Sequence, residues 1–138
     1  MQNVTGLRTV EWKNNRVIMI EQTKLPNELI FVEYDDFNQV ANAIKTLIVR
    51  GAPAIGVSGA FGLGLAALQS KAITKEELLS DLEEARKILF ATRPTAVNLF
   101  WALNRMRDRF SVSSTNDNVF VARLLLEEAH AIYHEDIE

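Results

Sequence analysis

Cysteine is absent from this chain of 138 residues. That excludes disulfides, a thiol nucleophile and thiolate metal sites within it, and leaves the redox compartment open. Proline is scarce, and its three residues, Pro26, Pro53 and Pro94, stand at turns or helix starts. No stretch is strongly basic. The 15 Lys and Arg against 18 Asp and Glu give a net charge of −3, which argues against a nucleic-acid partner. Met1-Gln2-Asn3-Val4-Thr5 offers neither a basic nor an apolar leader region, so no signal peptide is expected and the expected location is cytoplasmic. The uncharged run from Gly51 to Ser70 has about the length of a membrane span, but it is mostly Gly and Ala and opens Gly-Ala-Pro. A small-residue helix packed inside a bundle is expected there, with no membrane partner.

Glycine is scarce as well, and its distribution is informative. Of six glycines, five lie between positions 51 and 64. Arg50 precedes this cluster, and Pro53 stands where a helix can begin. Arg50-Gly51-Ala52-Pro53 reads as a tight turn feeding a helix N-terminus, where free N–H groups, the positive dipole end and a guanidinium favour a phosphate. Glycine inside a helix costs about 1 kcal/mol relative to alanine. Gly56, Gly59 and Gly62 therefore predict close packing along one side of a helix from about Pro53 to Gln69.

The remaining chain reads as one α+β domain, mainly α. A three-stranded antiparallel meander is expected over about 7–34, with Asn14-Asn15 supplying the hairpin turn and Pro26-Asn27 a second one. A bundle of about five helices is expected over about 35–138. The first is capped by Asp35-Asp36 and runs to about Val49, with Phe37, Val40, Ala41, Ile44, Leu47 and Ile48 on its apolar face. Thr74 and Glu77 form a capping box for a helix to about Ala91. Arg93-Pro94-Thr95 ends that helix, and Pro94 is expected to open the next, which carries Val97, Phe100, Trp101, Leu103 and Met106 to about Phe110. Ser111 to Asn116 is a loop, and a last helix follows from about Asp117 with Val119, Phe120, Leu124 and Leu125.

The Arg50 and Arg93 turns form a pair, each with an arginine just ahead of a proline-started helix. Converging, they would suit an anionic sugar or a nucleotide phosphate; otherwise they are two ordinary helix starts. The match of Gly62-Leu63-Gly64-Leu65-Ala66-Ala67 to a dinucleotide fingerprint falls in mid-helix with no preceding strand and carries no weight. His130 and His134 are spaced i, i+4, but Ala131 stands where a zinc-protease motif needs Glu, so a solvated helix face is expected and no metal. Trp12 and Trp101 are expected in the core. Arg105, Arg107 and Arg109 are expected at a solvated helix end. Ser58 has no local base and is not a nucleophile.

Four segments together resemble the N-terminal part of the methylthioribose-1-phosphate isomerase family. They are Val10-Glu11-Trp12, Ile20-Glu21-Gln22-Thr23-Lys24-Leu25-Pro26, Ile48-Val49-Arg50-Gly51-Ala52-Pro53-Ala54-Ile55-Gly56 and Thr92-Arg93-Pro94-Thr95-Ala96-Val97-Asn98-Leu99. That family is related to the alpha, beta and delta regulatory subunits of the exchange factor for translation initiation factor 2. The N-terminal strands and the Gln22 to Pro26 turn resemble the isomerase branch more. The resemblance implies an aldose–ketose isomerisation in methionine salvage, without metal or other cofactor, with Arg50, Gly51, Ala52 and Arg93 binding methylthioribose-1-phosphate. It also implies a homodimer at full length, with a catalytic cysteine and an aspartate proton donor in a Rossmann-like C-terminal domain that has no counterpart here. This chain is accordingly expected to be one lobe of a longer or split protein, a substrate-binding half without catalytic residues and inactive alone. The alternative is a non-catalytic regulatory or subunit-binding module of the initiation factor 2B type.

Overall fold

A computed structural model describes residues 10–46, 48, 52–111 and 118–136. Strands β1 (Val10–Lys13), β2 (Arg16–Ile20) and β3 (Phe31–Tyr34) form an antiparallel sheet in the order β1-β2-β3. The first turn is closed by Asn14 and Asn15 at φ of 55° and 60°, the left-handed pair that a two-residue hairpin requires. Register places Val10 opposite Met19, Trp12 opposite Val17, Val17 opposite Tyr34 and Met19 opposite Val32. These six side chains share one face by the period of two, and that face meets the helices. A short 3-10 turn, Gln22–Lys24, and a cis Leu25–Pro26 peptide connect β2 to β3.

Five helices follow: α1 (Phe37–Lys45), α2 (Ala52–Gln69), α3 (Lys75–Thr92), α4 (Val97–Ser111) and α5 (Asn118–Asp136). The order and number match the sequence expectation, and several boundaries differ. Helix α1 stops at Lys45 instead of Val49, because Thr46 leaves the helical region and both its N–H and its hydroxyl bond the Asn42 carbonyl. Its start is as expected, with the Asp36 carboxylate accepting from the Asn38 N–H at 2.8 Å. The capping box of α3 is complete: Thr74 accepts from the Glu77 N–H at 3.2 Å, and Glu77 accepts from the Thr74 N–H at 3.1 Å. Pro94 does not open α4. Arg93 is extended at φ −146° and closes α3, and the Ala96 N–H returns to the Arg93 carbonyl at 3.0 Å. Pro94 thus takes the second position of a turn, where its fixed φ fits, and the helix starts three residues later. The expected loop after Ser111 lies outside the described residues apart from Ser111 itself, which belongs to α4.

Helix α2 is the centre of the fold. It contacts α1, α3, α4 and α5 as well as β1 and β2. Val57, Ala60, Phe61 and Leu63 are fully buried, and Leu65 is nearly so. Its glycines serve several partners and not one side, as the sequence had suggested. A Cβ at Gly56 or Gly59 would meet α4, at Gly62 it would meet α1 and α3, and at Gly64 it would meet α5. No described helix is long and apolar enough to cross a membrane.

On α4 two of the five residues expected on the core face, Leu103 and Met106, are buried. Leu99, Ala102, Leu103, Met106 and Phe110 point inward, whereas Val97, Phe100 and Trp101 are exposed. Leu103 and Met106 belong to both sets. On α5, Val121, Ala122, Leu125, Ala129 and Ile132 are buried, while Val119 and Phe120 are exposed. Both helices carry a second apolar stripe, which periodicity cannot rank against the first.

Candidate functional site

The segment 48–56 contacts two of the other segments singled out above, one at each of its ends. The Gln22 N–H donates to the Ile48 carbonyl at 2.7 Å, tying the turn after β2 to the approach to α2. A Cβ on Gly56 would lie 2.9 Å from the Asn98 carbonyl oxygen, so α2 near its N-terminus approaches the first turn of α4 backbone to backbone. Only glycine leaves room for that approach. Ala52 is the first residue of α2. Arg93 is half-buried, and its backbone N–H bonds the Phe90 carbonyl at 3.3 Å. Asn98, beside Gly56, lies in the first turn of the helix that the Arg93 turn feeds. Arg50 and Gly51 lie outside the described residues.

This end of α2 combines a helix N-terminus with motif arginines on either side of it in the sequence. Donors at a helix start and guanidinium forks bind phosphate by charge and by planar hydrogen-bond geometry. The body of α2 contributes no charge. Its one buried hydroxyl, on Ser58, donates to the Ala54 carbonyl at 2.7 Å and is thereby committed to its own helix.

Other residues weighed from the sequence are structural here. His130 and His134 do not face a ligand cluster, and no group of three His, Cys, Asp or Glu suited to a metal occurs among the described residues. His130 was expected on a solvated face but is partly buried. It packs edge-on against Phe61 with ring centres 5.3 Å apart, and against Trp12 at 6.4 Å. Burial, and secondarily the charge of His134, hold it below the ordinary histidine pKa. Trp12 packs against the core at 5.5 Å from Phe61, as expected, but Trp101 is on the surface with the Arg105 guanidinium 5.3 Å from its ring centre. Arg105 is likewise not a solvated helix-end charge. It makes a two-pronged pair with Glu135, at 2.8 and 2.7 Å, and a further bond to Glu128, joining α4 to α5. The hydrogen bonds to Glu135 hold its proton more firmly than in a free arginine, and hold Glu135 below the usual carboxylate range. The main-chain bond from Gln22 to Ile48 joins segments far apart in sequence and had no signal in it.

Comparison with known proteins bears on what this end of the molecule does. The sequence model of a family described as "Initiation factor 2 subunit family" matches residues 48–138. A methylthioribose-1-phosphate isomerase of Pelotomaculum thermopropionicum is 48% identical over 132 residues, which is 95% of this chain and 36% of that protein. The crystal structure of 5-methylthioribose 1-phosphate isomerase from Pyrococcus horikoshii superposes with a TM-score of 0.92 at 50% identity, covering 96% of this chain and 38% of that one. The structure of translation initiation factor eIF-2B, subunit delta, from A. fulgidus superposes with a TM-score of 0.88 at 38% identity and the same coverage. The chain therefore spans little more than a third of the length of these relatives.

Proposed function

The chain belongs to the Initiation factor 2 subunit family, and from that premise we propose that it is the sugar-phosphate-binding lobe of a methylthioribose-1-phosphate isomerase. The observation that carries the reading is that the motif segment 48–56 contacts two other motif segments, through the Gln22–Ile48 bond at one end and the Gly56–Asn98 approach at the other. Arg50, Gly51 and Ala52, from the first motif turn, bind the phosphate together with Arg93 from the second. Fixing that phosphate holds the sugar in one orientation, which removes much of the entropic part of the barrier to isomerisation. The groups that move hydrogen between adjacent carbons belong, on this reading, to the part of the relatives that this chain does not cover. Identity of 50% to an isomerase structure against 38% to the eIF-2B delta structure favours the isomerase over a regulatory module.

The test follows ketose formation from methylthioribose-1-phosphate by the protein expressed from its complete reading frame. Arg50→Ala and Arg93→Ala are each expected to lower kcat/KM by about a hundredfold, the scale of a lost charge-assisted contact to substrate. Residues 1–138 alone are expected to bind the substrate weakly and to turn none over. Absence of turnover by the complete product would favour the regulatory module, and turnover by 1–138 alone would overturn the split site.

A further inference from the structure

We propose that a cavity at the C-terminal end of α2 binds a small amphipathic anion, an apolar chain with a carboxylate head. The cavity measures about 390 Å³ and is lined by the end of α2, the start of α3 and the start of α5. Small-molecule sites span about 300–1,000 Å³. Its floor is apolar, with Ala67, Leu78 and Ala122 all buried. Leu68 and Val119 line it too and are 42% and 71% exposed, so they stand at its mouth. A ligand chain laid over these groups removes apolar surface from water. The cavity is remote from the candidate phosphate site. Leu68 and Ala52 lie near opposite ends of α2, about 24 Å apart at the helical rise. The inference is therefore independent of the phosphate reading.

The polar side chains of the wall decide the head group. They are Ser70, Asn118 and Arg123. The Ser70 hydroxyl donates to Asp81 at 2.7 Å and accepts from the Ala72 N–H at 3.2 Å. The Asn118 amide nitrogen donates to the Ala72 and Thr74 carbonyls at 3.1 and 3.3 Å. These bonds tie the first residue of α5 to the segment between α2 and α3, so the rim is formed before a ligand arrives. They also commit the donors of both side chains. The Asn118 Oδ1 is buried without a partner, but an acceptor offers nothing to a carboxylate. Arg123 remains. It is exposed, and among the described residues its guanidinium has no ion pair or hydrogen bond. No acidic residue lines the cavity, and the nearby Asp81 is engaged by Ser70. One unpaired cation beside an apolar cavity is complementary to one anionic head on an apolar chain.

The experiment uses the protein expressed from its complete reading frame and titration calorimetry, with octanoate as the probe and octanol as its uncharged counterpart. Octanoate is expected to saturate a single site with a dissociation constant of about 1 mM or below. Arg123→Gln is expected to weaken octanoate about fivefold, the scale of a solvent-exposed ion pair, and to leave octanol unchanged. Ala72 is a partly buried wall residue whose main-chain bonds any substitution keeps. Ala72→Phe fills the cavity and is expected to abolish binding of both probes. Should Ala72→Phe not fold, the Arg123→Gln comparison still decides, because that side chain is on the surface. Three results would each overturn the proposal: no saturable octanoate binding, octanoate binding equally to the parent and to Arg123→Gln, or octanoate binding retained in folded Ala72→Phe.

Discussion

Gly56 and Gly64 stand two turns apart on α2 and are not equivalent. A Cβ at Gly64 would come within 2.7 Å of a Leu126 methyl, closer than the 2.9 Å that separates a Cβ at Gly56 from the Asn98 carbonyl oxygen. The shorter distance marks the more tolerant site. Leu126 is only partly buried, and its methyl is the far end of a side chain that can rotate. The Asn98 oxygen is main chain in the first turn of α4, so it moves only if the helix moves. What a glycine protects is set by the stiffness of what it touches, not by proximity alone.

The largest effect is therefore expected at Gly56. Gly56→Ala gains about 1 kcal/mol in helix propensity but forces α2 and α4 apart, for a net loss of roughly 1–2 kcal/mol in urea unfolding. It should also weaken phosphate binding, since the parted turns are those assigned to the site. Stability equal to the parent would break the contrast at its stiff end.

A second, smaller effect concerns the sheet side of α2, where His130 packs against Phe61 and Trp12. Its pKa is lowered in the fold, chiefly by burial. The unfolded chain then binds this proton more readily than the native one. The resulting loss of stability is absent above the unfolded pKa of about 6.5, grows as pH falls below it, and levels off below the folded pKa. Urea midpoints measured from pH 7.5 down to 5 should fall, and His130→Phe should flatten that slope. An unchanged slope in the variant would place the titration elsewhere.

The smallest effect is expected at Gly64. Gly64→Ala should change stability by less than about 0.5 kcal/mol in either direction, the propensity gain offsetting a rotated Leu126. A loss as large as that of Gly56→Ala would show that α5 is as unyielding as α4, and would erase the distinction drawn here.

Elements specified by neighbouring residues were legible in the sequence. Asn14-Asn15 predicts its hairpin because few residues other than glycine accept positive φ twice in succession. Thr74 and Glu77 predict the start of α3 because each satisfies the other's main chain. Legibility failed where the deciding partner is distant. Val97, Phe100 and Trp101 make as good an apolar stripe on α4 as Leu99, Leu103 and Met106, and only the position of α2 selects between them. Arg105 looked solvated because Glu128 and Glu135, which hold it, lie on another helix. The candidate site divides in the same way: Arg50, Gly51, Ala52 and Arg93 were proposed from their motifs, whereas the main-chain bond from Gln22 to Ile48 joins segments far apart in sequence and has no local signal.

Helix α2 is packed along its length by α1, α3, α4, α5 and the sheet, and its first turn lies at the candidate site. Mechanically it is a clamped rod with a working tip. Its backbone amides cannot exchange with solvent by local fraying alone, because releasing the body requires all the surrounding helices to part. On the proposed reading, an anion binding at that tip meets donors of a helix already held by its neighbours and is spared part of the entropic penalty of organising its receptor.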